Sequence, residues 1–384
     1  MSDLYFDFGH SSINKVGEEL CGDSLVFNRN PNHVIMVLSD GLGSGVKANI
    51  LSTLTTKIIY VMLENGANIN DVTDTLSETL PYCKVRNLAY STFSIVQCFL
   101  NGDAHITEYD NPPAFFIRGG KLQHLNYQIR EIGKRKIKES HLKLKRDDLL
   151  VFVSDGEVHA GIGGVWNLGW SWERIAAYIE MRSALKLSAQ QLADDLVNTA
   201  DKLYQKRPGD DATVGVFKIR ERRYATLLVG TPLNKDDDPQ VVQILTKSKG
   251  KKIVCGGTTG NIVARELSQE IDVDMKTATV ELPPMGIIRG IDLVTEGTVT
   301  IMKTLQLLND PSHLSDLKYK KDGASQLAHQ LSVADSIEII LGQAINPAHQ
   351  NPDLPVELGL KTKFVEEIAE LLKSRDKEVI IKYY

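Results

Sequence analysis

Several things are scarce in this chain of 384 residues, and each scarcity excludes a class of protein. Cysteine occurs four times, at Cys21, Cys83, Cys98 and Cys255, with no CxxC pair. That excludes a disulfide frame and a zinc knuckle, and predicts reduced, buried thiols. Basic residues do not outnumber acidic ones (44 against 49), and a net charge of −5 argues against a protein that coats nucleic acid. No apolar run approaches bilayer length, and the N-terminus, MSDLYFDFGHSS, has no basic-then-apolar signal. No membrane partner and a cytoplasmic location are therefore expected. There is no Walker sequence, internal repeat or low-complexity tract. What remains is 42% hydrophobic and 24% charged, enough to bury a real core in a chain long enough for two domains.

Residues 34–47, VIMVLSDGLGSGVK, organise the first half. The apolar run reads as a buried strand and the residues from Gly45 onward as a helix, which puts Asp40 at a strand end. The same device returns in LLVFVSDGEV, with Asp155 at the end of a second apolar strand. Two further acids stand just before strands: Asp23 in CGDSLVF, and the pair Asp210–Asp211 in GDDATVGVFKI. In an antiparallel sheet the start of one strand lies beside the end of its neighbour, so these termini can meet on one edge. Hard cations such as magnesium and manganese take oxygen ligands and keep several waters, so a few carboxylates suffice, with a backbone carbonyl at Gly41. Any one of these acids alone reads as a turn or cap residue. Their combined order points to a metal site. The glycines of GLGSG are spaced GxGxG, not GxGxxG, and Glu64 lies at a helix end, which argues against dinucleotide binding there.

Along the chain, residues 4–9 and 24–27 read as strands, and residues 46–63 as a helix with Val46, Ile50, Leu51, Leu54, Ile58, Val61 and Met62 at helical spacing. A second helix spans about 70–80 and ends before Pro81. Residues 90–125 read as one antiparallel meander, 134–145 as a basic, polar connection, and 172–181 and 189–206 as helices. Past Arg220-Glu221-Arg222-Arg223 the pattern changes. Apolar strands at 224–230, 252–255, 291–295, 336–341 and 379–383 alternate with helices at 261–269, 298–308, 324–334 and 361–373, which implies a mostly parallel α/β domain. Asp236-Asp237-Asp238 reads as a solvated loop or helix N-terminus.

The segments GEELCGDS, LSDGLGSGVKA, YDNPPAFFIRGGKL, FVSDGEV and GDDATVGVF, in that order over residues 1–220, resemble the PPM class (2C type) of metal-dependent serine/threonine phosphatases, specifically its bacterial sporulation-stage-II-E branch. The resemblance implies an α-β-β-α sandwich as residues 1–221, with two divalent ions, manganese or magnesium, at one end of its sheets. By position it implies that Asp40 bridges both ions, Gly41 gives its carbonyl, Asp155 and Asp210 complete the first ion, Asp23 stands by the second, and Asp211 orients the loop. The implied reaction is attack of a metal-bridging hydroxide on phosphoserine or phosphothreonine of a regulatory protein. Related phosphatases act on phosphoproteins that control sigma factors. An early arginine found in many eukaryotic members is absent here, and His10 and Lys15 are the only basic side chains between Asp3 and Asp23. The helices after Gly45 and around Val72 match elements that shift in the bacterial branch to complete the metal site.

For residues 224–384 no such resemblance is available. KKIVCGGTTGNIVARE sets Gly256, Gly257, Thr258 and Thr259 between a strand and a helix, and GIDLVTEG sets Asp292 and Glu296 at another strand end. In parallel sheets ligands bind at carboxyl strand ends, so a small anionic ligand or a phosphoprotein is expected there; the competing reading is caps and tight turns. His349, in INPAHQNPDLP, is placed to line the same pocket. With no sensor domain expected ahead of the first half, control is expected from this domain or from a partner. A homodimer and a catalytically silent scaffold stay open as alternatives.

Overall fold

The computed structural model describes residues 4–30, 33–79, 82–83, 88–89, 91–132, 135–164, 166–185, 187–310, 314, 316–344 and 356–384. The chain divides into two compact units, Met1–Glu221 and Arg222–Tyr384. Among the described residues no helix is long and apolar enough to cross a membrane.

The first unit contains β1 (Leu4–Ile13), β2 (Asp23–Arg29), β3 (His33–Asp40), α1 (Gly45–Glu64), α2 (Ile69–Thr79), the short pair β4 (Tyr82–Cys83) and β5 (Leu88–Ala89), β6 (Phe93–Phe99) and β7 (Asp103–Tyr109). It continues through β8 (Phe115–Arg118), β9 (Lys121–Gln123), β10 (Gln128–Ile132), β11 (Arg135–Lys143), β12 (Leu149–Val153), α3 (Asp155–Val158), α4 (Trp172–Ser183), α5 (Ala189–Leu203) and β13 (Ala212–Glu221). Two antiparallel sheets result, β1-β13-β12-β8-β9 and β10-β11-β7-β6-β3-β2. Phe6, Met36, Val96, Phe152 and Phe217 fill the space between them. Outside the first sheet, Val151 and Val216 pack on Ile175, Ile179 and Leu196 of α4 and α5. Outside the second, Ile35 and Val37 pack on Ile59 and Leu63 of α1 and on Val72 and Leu76 of α2. The unit is an α-β-β-α sandwich. Strands covered on both faces read as unbroken apolar runs, which is why residues 34–38 and 149–153 show no alternation.

Three expectations are corrected and a fourth lies outside the described residues. The meander is not one sheet: β6 and β7 belong to the second sheet, whereas β8 and β9 pair into the first through β12. The polar stretch at 134–145 is largely the strand β11, which pairs with β7 and β10; its charges hide a strand whose Ile137 and Ser140 are buried. On α1 the apolar positions Val46, Ile50, Leu54 and Val61 face outward, each at least half exposed. The buried face is Gly45, Ala48, Ser52, Thr55, Thr56, Ile59 and Leu63. Small and hydroxyl residues let this helix lie close on the β2–β3 ribbon, where the Ser24 and Thr56 hydroxyls bond at 2.9 Å and Thr55 donates to the Leu51 carbonyl at 2.8 Å. The expected end of the second helix at Leu80 and Pro81 lies outside the described residues.

The second unit runs β14 (Tyr224–Val229), α6 (Asp238–Lys247), β15 (Lys251–Cys255), α7 (Gly257–Glu266), β16 (Asp272–Asp274), β17 (Met285–Ile287), β18 (Leu293–Thr295), α8 (Thr298–Asn309), α9 (Gly323–Val333), β19 (Ser336–Leu341), α10 (Val356–Lys373) and β20 (Glu378–Tyr383). The sheet order is β16-β17-β18-β15-β14-β19-β20. β18, β15, β14, β19 and β20 are parallel, and β17 and β16 add an antiparallel edge. Leu227 and Ile339 face one apolar layer, with α8, α9 and α10. Leu228 and Ile340 face the other, with α6 and α7. The parallel strands thus run 3-2-1-4-5 in chain order, doubly wound, with the direction of winding reversing between β14 and β19. Of the two readings of the acidic run the structure takes the helix N-terminus: its last residue, Asp238, opens α6, and it is buried and paired with Arg265 at 2.6 Å.

Candidate metal centre

Register brings the acids of the first unit together. Asp23, first residue of β2, stands directly opposite Asp40, last residue of β3. In the other sheet β12 and β13 are antiparallel, so the end of one meets the start of the other. There Ser154 donates to the Thr213 carbonyl, and the Thr213 N–H donates to the Ser154 hydroxyl, each at 2.9 Å. Asp155 follows Ser154, and Asp210 and Asp211 precede Thr213. The turns carrying these acids interlock. A Cβ on Gly156 would lie 2.0 Å from the Asp211 carbonyl oxygen, and one on Gly22 2.8 Å from the Asp211 carboxylate, so neither position admits a larger residue unchanged.

The electrostatics follow from that packing. Burial, then the charges of Asp23, Asp155, Asp210 and Asp211, push Asp40 up to about 9. Burial pushes Asp23 up to about 7, with Ser154 and Thr213 opposing and Asp211 and Asp155 adding to the shift. Asp210 is raised by burial and by Asp155, against the pull of Lys15. Neither oxygen of Asp23 makes a hydrogen bond of good geometry, although the side chain is 6% exposed. An orphaned buried carboxylate among other carboxylates fits a cation, since a paired positive charge is what lowers the free energy of such a group. Among the described residues no three His, Cys, Asp or Glu side chains already converge on a point that would hold an ion. The arrangement is an acidic wall, open at Asp155 and closed at Asp23.

Asp23, Asp40, Asp155 and Asp210 therefore lie together, with Gly41 adjoining Asp40 and bridged to Ser91. Asp211 accepts the Lys15 backbone N–H at 3.0 Å, which fixes the turn bearing Lys15. His10 is exposed, with its backbone bonded to Gln190, and among the described residues no hydrogen bond or ion pair ties it to the acids. Two residues escaped the sequence reading. His159, one turn beyond Asp155, places Nδ1 3.8 Å from the Asp155 carboxylate, an i,i+4 relation visible once α3 is recognised. Glu157 is fully buried, with both carboxylate oxygens unpartnered, and burial with the Asp23 charge raises it to about 8.

In the second unit Gly256, Gly257, Thr258 and Thr259 open α7 at the carboxyl end of β15. The Gly256 N–H donates to the Thr295 carbonyl at 2.8 Å, and the Glu296 carboxylate lies about where a Cβ on Gly257 would touch it, at 3.1 Å. Asp292 does not join them. β18 has three residues and is parallel to β15, so Asp292 lies at the opposite, amino edge of the sheet. There it binds the Lys251 ammonium at 2.7 Å and the Lys252 N–H at 2.9 Å. His349 lies outside the described residues.

Residues 30–220 match the family model of stage II sporulation protein E (SpoIIE). The chain is 27% identical over 186 residues to the stage II sporulation protein E of Bacillus subtilis (strain 168), covering 47% of this chain and 22% of that protein. It is 23% identical over 219 residues to the protein of the same name from Priestia megaterium, covering 56% of this chain and 36% of that protein. The chain thus spans well under half the length of these curated relatives. Among solved structures it is similar to the PP2C phosphatase domain with a fragment of the regulatory domain of SpoIIE from Bacillus subtilis, at TM-score 0.48 and 23% identity, covering 57% of this chain and 65% of that one.

Proposed function

Given that its first unit is a PPM-type phosphatase domain of the SpoIIE branch, we propose that this chain is a metal-dependent protein phosphatase that removes phosphate from serine or threonine of a regulatory phosphoprotein. The observation that carries this reading is the gathering of Asp23, Asp40, Asp155 and Asp210 at one end of two sheets, with Asp23 buried and neither of its oxygens in a hydrogen bond of good geometry. In the reading, these four carboxylates and the Gly41 carbonyl hold magnesium or manganese. The ions would neutralise the phosphate and activate water for its displacement. Lys15, whose charge is felt at Asp210, supplies a cation at the substrate side. His159 offers an exposed imidazole beside Asp155 to carry a proton to or from solvent. Asp211 holds the Lys15 turn in place through its backbone contact.

The second unit is proposed to bind a small anionic ligand or to recruit the phosphoprotein at Gly256, Gly257, Thr258, Thr259 and Glu296, now without Asp292. Support comes from α7, whose N-terminus has no side-chain cap, at the carboxyl edge of a doubly wound sheet. A catalytically silent scaffold is the second reading, favoured by the lack of any three converging metal-binding side chains among the described residues. Hydrolysis of p-nitrophenyl phosphate by the EDTA-stripped chain, with manganese or magnesium restored, separates the two. Metal-dependent turnover that Asp40→Asn abolishes supports the enzyme; a folded wild type inert with every metal supports the scaffold.

A further inference from the structure

The sheet of the second unit has two edges of different character, β16 on one side and β20 on the other, among the described residues. β20 reads EVIIKY and pairs with β19 without a break from Glu378 to Tyr383. The Glu378 N–H donates to the Asp335 carbonyl at 3.0 Å, and the Tyr384 N–H to the Leu341 carbonyl at 2.9 Å. In a parallel ladder one residue turns both its N–H and its C=O to the neighbouring strand, and the next turns both away. Glu378, Ile380 and Lys382 therefore bond toward β19, while Val379, Ile381 and Tyr383 turn their backbone groups outward. Such a row is a template for another strand. Val379 and Ile381 send their side chains into the layer shared with α10. Glu378, Ile380 and Lys382 share the opposite face, where Ile380 is 52% exposed. Glu378 is paired with Arg222 and Lys382 with Glu338, yet both keep about half of their side-chain surface open.

Other edges of this chain are guarded. On β1 the Gln190 side chain takes up the edge, accepting the His10 N–H at 3.2 Å and donating to the His10 carbonyl at 2.8 Å. β16 has three residues, and pairing with its own copy about Val273 would set Asp272 against Asp274, acid on acid. β20 is the reverse case. With Ile380 on a two-fold axis, a second β20 running antiparallel sets Glu378 of one copy opposite Lys382 of the other, twice. The same register pairs Val379 with Ile381, whose outward backbone groups then exchange hydrogen bonds, and lays the exposed Ile380 against its own copy. An axis at Ile381 instead would set Glu378 against Tyr384 and Lys382 against Ile380, leaving both charges unmatched. We propose that β20 docks a second copy of this chain, joining two second units through an antiparallel β20–β20 pair centred on Ile380. The partner is the chain itself because the strand's outward groups and its charges are complementary to their own two-fold image. This inference is independent of the metal-centre reading.

The test is sedimentation of the full chain from about 1 to about 100 µM, the range a short strand interface calls for. Wild type is expected to pass from monomer to dimer within it. Glu378→Lys and Lys382→Glu each put two like-charge pairs on the interface, and each is expected to weaken the dimer about 10-fold or more. Mixed in equal amounts, one variant offers only lysine and the other only glutamate at these positions. The mixed dimer regains both opposite pairs and is expected to form at about wild-type strength. A wild type that stays monomeric throughout overturns the proposal, and so does a dimer that neither variant weakens. A mixture as weak as its components also overturns it, since the variants would then act through Arg222 and Glu338 within one chain. Should a variant fail to fold, amide exchange in wild type decides. The Val379 and Ile381 N–H groups are expected to exchange more slowly as the dimer fills, and exchange that ignores concentration overturns the proposal.

Discussion

The two units set chemistry-bearing residues at strand ends, yet opposite strand directions give opposite results. In the first unit neighbouring strands are antiparallel, so residues before one strand and after the next share an edge. Asp23 meets Asp40, and the SDG turn meets the GDDA turn. In the second unit the central strands are parallel, so only residues after strands share the carboxyl edge. Gly256 and Glu296 meet there, and Asp292, before β18, falls on the far side. Strand direction therefore decides which motif residues can cooperate, and a motif read without it mixes the two edges.

The sharpest break between the units is expected from Asp155→Asn. If the acidic wall is the reacting site, turnover of p-nitrophenyl phosphate falls about 100- to 1000-fold, whereas Asp292→Asn leaves it at the wild-type rate. Equal losses in the two variants would erase the distinction.

Glu108 shows what a buried acid does away from that edge. It lies within the sandwich, accepts the Ala114 N–H at 2.7 Å, and is raised by burial to about 7 from an ordinary 4.5. Between those values the unfolded chain releases the proton while the folded protein keeps it, so stability falls as pH rises through the window and levels off above it. Glu108→Gln keeps the shape and removes the slope. Denaturant unfolding at pH 4.5 and pH 7.5 is expected to show the variant gaining on wild type by at most roughly 3 kcal/mol. A constant difference would place the shift elsewhere.

Smaller effects are expected in the second unit. A Cβ on Gly342 would lie 2.3 Å from the Thr231 backbone, at the point where the winding reverses. Gly342→Ala is expected to cost about 1–3 kcal/mol in unfolding by denaturant; a neutral result would mean that β14 and β19 part easily there. Asp292→Ala breaks a half-exposed ion pair and is expected to cost about 1 kcal/mol or less, leaving any anion bound at Gly256 undisturbed. Loss of such binding would return Asp292 to that edge.

Much of this was legible because the apolar runs end in acids. Residues 34–38 and 149–153 announce buried strands, and Asp40 and Asp155 follow at their ends, so acids at strand termini could be read directly, whereas the sandwich was implied by the resemblance of the five segments to a known family. Glu157 could not, because a glutamate two places after an aspartate in a turn reads as solvated. It is buried next to the close approach of Gly156 to Asp211, residues far apart in sequence. The inner face of α1 was hidden for a related reason: Ser52 and Thr55 satisfy their hydroxyls on the helix's own carbonyls, so polar residues pack inward while Ile50 and Leu54 face out. β11 was missed because its charges mask the inward alternation, and Asp292 because β18 is so short that its two ends look alike.

Phosphate release from a phosphoserine peptide, followed as manganese is titrated into the EDTA-stripped full chain, tests the central claim most directly. The account predicts release that rises from background and saturates with manganese, and that is lost in Asp40→Asn. Release that is independent of metal, or equal in Asp40→Asn, would contradict it.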